Sequence, residues 1–187
     1  MSIQLVVNGL LIVILIGYIA FRQLTWRAID PARMWRMPAI LALIGLVTIS
    51  STTKVHLLTP TDIAFILIDI VISFGIGALM GVIATIRPMS SSAIEAYRQQ
   101  QLARDSGRSR NRRPIGVVTL ETRTGWLGLG LWVVFVAVRI GIDTLAGYAG
   151  SAFVASTGMI LIAVAANRAA RIAVISYRAA RVSAVVA

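Results

Sequence analysis

Residues 62–86 read DIAFILIDIVISFGIGALMGVIATI. A helix needs about 20 apolar residues to cross a hydrocarbon core, and this run exceeds that with one interior charge, Asp69. Backbone polar groups in lipid must be satisfied within their own segment, so such a run is expected to be a helix. Outward from it lie four more apolar stretches, at about 3–21, 38–53, 126–148 and 152–166. In the 38–53 stretch the strongly apolar part, Ala39 to Val47, is short and fades through Thr48, Ser50, Ser51, Thr52 and Thr53. Hydroxyl side chains can bond back to helical carbonyls, which lets that end stay in the membrane. The expectation is an all-α polytopic membrane protein. It is a single domain of about five transmembrane helices, with a loop at 87–124 and a basic helical tail at 167–187.

Composition agrees. The 187 residues are 58% hydrophobic and 13% charged, yet the net charge is +11, against roughly 25% charged residues in an average soluble domain. A soluble globule this apolar could not hide its surface. Apolarity and basicity are reconciled when the apolar residues face lipid and the basic ones sit at its edges. That excludes a soluble enzyme, a disulfide scaffold and a disordered tail. Cysteine is absent and His56 is the single histidine. Thiol redox chemistry, thiolate metal sites and bis-histidine haem ligation are therefore not available from this chain alone.

The basic residues set an orientation. Arg22, Arg27, Arg33 and Arg36 follow the first stretch, and eight arginines lie between Arg87 and Arg123. Arg168, Arg171, Arg178 and Arg181 follow the last, so sixteen of the 18 basic residues fall on one side. Positive residues are retained in the cytoplasm, which predicts N-out, C-in in a bacterial plasma membrane. The first stretch has no Lys or Arg before it, unlike a secretory signal, and reads as an uncleaved helix. Trp26, Trp35, Tyr97 and Trp126 fall at the same boundary, where amphipathic rings prefer to sit.

In the loop, Ser92-Ala93-Ile94-Glu95 has the form of a capping box and predicts a helix through about Arg104. Residues 105–113, DSGRSRNRR, contain no apolar residue, and the β-branched run 115–122 predicts a short strand or hairpin arm. Arg104, Arg108, Arg110, Arg112 and Arg113 have no interleaved aromatics for base stacking, so no nucleic-acid partner is expected. Anionic inner-leaflet lipids attract such residues at about 1 kcal/mol each. In the tail, Arg168, Arg171 and Arg178 fall near one face of a helix expected to continue along or out of the inner interface. A partner-docking helix is the competing reading. A membrane-protein partner or a homo-oligomer is expected.

Charges inside apolar spans are the default place to look for function. Three occur: Asp69, Arg139 and Asp143. At 1.5 Å per residue they lie about 10, 13 and 7 Å from the outer face, at similar depth. They are expected either to pair and orient two helices or to line a polar cavity for a proton, ion or anionic headgroup. Ser73, Gly77, Gly81 and Thr85 recur every four residues, a spacing that lets helix backbones approach. With Gly141 and other small residues of the fourth stretch, they are expected to pack those two spans together. No catalytic set assembles: there is no Ser-His-Asp arrangement, and the acids Asp30, Glu95, Asp105 and Glu121 are scattered. No metal or cofactor is expected.

Arg33-Met34-Trp35-Arg36-Met37-Pro38, then Gly77, Gly81, Thr85 and Arg87, then Trp132 and Arg139 follow in an order that resembles the CcdC-like family. These are small bacterial integral membrane proteins tied by name to cytochrome c biogenesis. The chain departs from that pattern at Met34, which separates the Arg-Trp pair, and at Ser90 to Arg113, which looks like an insertion. The resemblance implies a membrane location and a multi-span bundle. Three functions are expected in order: a non-catalytic accessory or regulatory subunit; a small transporter or lipid-handling protein using Asp69, Arg139 and Asp143; and, by resemblance alone, a protein of cytochrome c biogenesis.

Overall fold

The structure is a computed structural model and describes residues 24–30, 34–52, 59–105, 119–151 and 153–186. The expected first span, Lys54, His56, and Arg108 to Arg113 lie outside the described residues. In chain order the elements are β1 (Arg27–Ala28), α1 (Arg36–Thr52), α2 (Pro60–Ile83), β2 (Thr85–Pro88), α3 (Ser91–Asp105), β3 (Leu120–Arg123), α4 (Gly125–Tyr148) and α5 (Thr157–Val186). Three helices, α2, α4 and α5 as far as Val182, are long and apolar enough to cross a membrane. The 17 residues of α1 span about 25 Å at 1.5 Å each, short of the roughly 30 Å hydrocarbon thickness. Leu43, Leu46, Leu67, Val71, Val82 and Leu145 all point outward.

The helix ends follow from local chemistry. Thr59 caps α2: its hydroxyl accepts from the Asp62 amide at 3.2 Å, and Asp62 accepts in return from the Thr59 amide at 2.9 Å. Pro60 occupies the first turn, where a missing N–H costs nothing. At the other end Ala84 leaves helical geometry, and Thr85-Ile86 continue as a strand, so the helix stops short of the expected Ile86. Gly150, at φ +77°, closes α4 with Ser151 N–H donating to Ala146 O and Gly150 N–H to Gly147 O. That pair of bonds is the Schellman pattern, which favours glycine at the left-handed position. α3 is capped by Ser90, whose hydroxyl accepts from Ala93 N–H at 3.3 Å. The cap therefore falls two residues before the expected Ser92.

α5 is the central element and packs most extensively on α2 and then on α1. It runs unbroken from Thr157, so the fifth apolar stretch and the basic tail that extends it are one helix, with Ala170, Ile172, Ile175 and Ala179 buried. Small side chains are the reason, because they let α5 press against the glycines of its neighbours. A methyl group on Gly81 would lie 2.7 Å from Val174 Cβ, one on Gly77 would land on the Asn167 backbone, and Gly45 and Gly158 meet across α1 and α5. The small-residue stripe thus faces α5, and not α4 as expected. α2 meets α4 through large side chains instead, Ile76 and Met80 against Phe135, with Leu131 and Trp132 alongside. Gly141 faces open space, and Thr85 is exposed on a strand. Neither packs helices.

The strands form an antiparallel sheet in the order β1-β3-β2, with Arg27 opposite Thr122 and Arg87 opposite Glu121. Pro88 sits on the edge strand β2, where the lost donor is tolerated. Ile29, Ala84, Ile175 and Ala179 form the core beneath the sheet, joined by Met34, Ile86 and Leu120. The sheet thereby gathers residues 24–30, 85–88 and 119–124 at one end of the helices, beside the C-terminal half of α5.

Candidate functional site

Two polar constellations lie at different levels of the bundle. In the first, Arg139 on α4 reaches across to Asp69 on α2 through Nη1, and Nη2 lies 3.0 Å from Asp143 Oδ1, one turn further along α4. Nη2 also donates to Val154 O at 2.7 Å, and Val154 is fully buried before α5. The Asp143 pairing is Coulombic and lacks hydrogen-bond geometry, as its Oδ1 has no hydrogen-bond partner. Side-chain exposure is 2% for Asp69, 8% for Arg139 and 24% for Asp143. The three charges thus close on one another and on a carbonyl, tying α2, α4 and the connection into α5. Arg139 Nε is buried without a partner, so the guanidinium is held by its two terminal nitrogens alone.

Toward the same end of the bundle, Ser151 donates to Asp62 Oδ1, and Thr59 donates its hydroxyl to Asp62 Oδ2 at 2.7 Å. Asp62 therefore caps α2 and also anchors the turn after α4. Its Thr-x-x-Asp spacing was the available sequence sign.

Two of the arginines expected on a lipid or partner surface, Arg171 and Arg178, make contacts within the bundle. Arg178 donates to Gly81 O, Val82 O and Ala84 O at 2.6–2.8 Å. It satisfies the carbonyls at the end of α2, where the helix dipole favours a cation. Arg171 donates to Thr124 at the start of α4. Arg104 falls within α3. On the sheet, Arg87 pairs with the buried Glu121 and stacks 3.7 Å over Trp26, with Arg123 at 5.9 Å from the same ring.

The second constellation was not anticipated. A cleft of about 930 Å³ opens beneath the sheet, between α1, α3, α4 and α5. Part of its wall is apolar, made by Trp132 and Phe135 of α4 and Val164 of α5. Arg27, Arg123, Arg168 and Arg171 line its other end, with Asp30 the one carboxylate among its lining residues. Thr122, also lining it, is buried, and its hydroxyl has no hydrogen-bond partner. Asn167, on the same wall, donates to Ser73 O at 3.0 Å, which places the buried Ser73 backbone beside the cleft.

Among the described residues no group of three or more His, Cys, Asp or Glu side chains is placed to hold a metal ion. No protein-family model, curated protein or solved structure matches the chain.

Proposed function

We propose that the chain is a multi-pass membrane protein, N-out and C-in, that acts as a non-catalytic accessory subunit and receives its ligand in the cleft beneath the sheet. The observation that supports this reading is the cleft itself. Its volume of about 930 Å³ lies at the upper end of the roughly 300–1,000 Å³ of small-molecule sites, and it combines an apolar wall with a few converging polar groups. The Asp69–Arg139–Asp143 set gives weaker support to a transport role, because its charges are already spent on each other and on Val154 O. Transport keeps one observation in its favour, the part-exposed carboxylate of Asp143. A role in cytochrome c biogenesis rests on the CcdC-like resemblance alone.

A thiol at the cleft mouth tests the reading, since the native chain has no cysteine. Gln100 is exposed and lines the cleft. In a Gln100→Cys variant, a bulky maleimide should react several-fold more slowly with membrane extract present than in lipid-free detergent. A Tyr148→Cys thiol at the far end should react at the same rate in both. Equal rates at Gln100→Cys in the two conditions would leave the cleft without an occupant and remove the reading.

A further inference from the structure

We infer that the cleft holds the head of an anionic, phosphate-bearing amphiphile, with Thr122, Arg123 and Arg168 on the phosphate; this rests on the binding reading above. Charge is the first argument. Four guanidinium groups and one carboxylate line the cavity, so it keeps a positive excess whatever pairs form within it. Guanidinium groups present several donors in a fixed plane, the geometry that phosphate oxygens accept. The second argument is independent of charge. Thr122 is 6% exposed and its hydroxyl is unpartnered, and a buried polar group left without a hydrogen bond is destabilising. An acceptor oxygen at the cleft would satisfy it. The third is polarity. The arginines stand at the sheet and on the adjoining part of α5, whereas Trp132, Phe135 and Val164 lie further along the helices. A free phosphate would leave that wall unfilled, and an attached hydrocarbon chain would cover it.

The full chain, purified in neutral detergent, would be offered equal amounts of phosphatidylglycerol and phosphatidylcholine. Native mass spectrometry would then count the retained lipid. Phosphatidylglycerol should be favoured by about tenfold, because both lipids offer the phosphate but phosphatidylcholine also brings a choline cation beside the arginines, a like-charge juxtaposition. Thr122→Val keeps the side-chain shape and should reduce retention several-fold. The melting temperature of the lipid-free variant should not fall, because no protein bond is removed. The Arg123→Gln/Arg168→Gln pair should bring the two lipids to parity, while Arg98→Gln, on α3 and not lining the cleft, should leave the preference intact. Unchanged retention in Thr122→Val overturns the assignment of the hydroxyl. Equal retention of both lipids, with the Gln100→Cys thiol still shielded, overturns the anionic head and leaves the binding reading standing. Shielding of that thiol by inorganic phosphate as strong as by phosphatidylglycerol overturns the amphiphile in favour of a soluble anion. Shielding by membrane extract but by neither of these overturns the inference and leaves the binding reading standing, and shielding by none of the three overturns both.

Discussion

Arg139 shows what a single residue can and cannot announce from sequence. A charge inside an apolar run is costly, about 2.5–3.5 kcal/mol at mid-helix, so Arg139, Asp69 and Asp143 stand out in any reading of the chain. Their common depth follows from 1.5 Å of rise per residue. Val154 as a further acceptor does not follow, because a backbone carbonyl carries no mark in the sequence. The arrangement predicts an asymmetry. Arg139→Ala leaves Asp69 buried and uncompensated, and breaking a buried pair in this way costs about 3–5 kcal/mol. The double change Asp69→Asn/Arg139→Gln removes both charges and keeps groups able to hydrogen-bond at the same place. It should therefore lower the melting temperature of the purified protein less than Arg139→Ala does. Equal losses in the two variants would mean that the pair is not coupled. Arg178 behaves differently: Arg178→Ala deprives the end of α2 of a cation at three carbonyls. A loss of about 1–2 kcal/mol is expected, the range of a favourably placed charge at a helix terminus.

At the scale of elements, spacing identifies a smooth face without naming what lies against it. Ser73, Gly77 and Gly81 recur at helical spacing, and Gly141 on α4, with Gly128, Gly130 and Ala137 on the same helix, looks similar. Yet the first three face α5 while Gly141 meets nothing within van der Waals reach. The difference resides in α5, where alanines supply the complementary small surface and its arginines give it the look of a solvated tail. Helix periodicity could not reveal that Arg171 and Arg178 point at Thr124 and at the end of α2, since both partners are distant in sequence. The three strands were hidden for a related reason. Two to four residues make too short a pattern to read, and only the β-branched run before Thr122 hinted at one of them. Substitution separates the two kinds of glycine. Gly77→Ala places a methyl group on the Asn167 backbone, and overpacking of this kind costs about 1–3 kcal/mol. Gly141→Ala enters open space and should leave the melting temperature unchanged or slightly raised. Parallel thermal unfolding checks both: an unchanged Gly77→Ala would contradict the α2–α5 contact, and a loss in Gly141→Ala would contradict its open surroundings.

For the whole molecule, the sheet turns a count of charges into a constraint on topology. It joins residues 27–28, 85–88 and 120–123 through backbone bonds, so these three segments share one end of the bundle and therefore one side of any membrane it spans. Arg27, Arg87, Arg123, Arg171 and Arg178 stand at that end, and the turn after α4 with Ser151 and Asp62 stands toward the other. Retention of positive residues in the cytoplasm then predicts that the sheet lies inside, as in the proposed orientation. The short helix α1 fits this frame, since it leaves from the sheet end and must return through α2 to reach β2. Because the native chain lacks cysteine, two single thiols test the orientation without background. Gln99, exposed on α3 beside the sheet, and Ala149, exposed in the turn after α4, are suitable positions. In intact cells a membrane-impermeant maleimide should label Ala149→Cys and not Gln99→Cys, and permeabilisation should bring both to the same extent. The reverse pattern would invert the orientation while keeping the bundle. Labelling of both in intact cells would contradict the bundle as a membrane-crossing unit, because it would place its two ends on the same side.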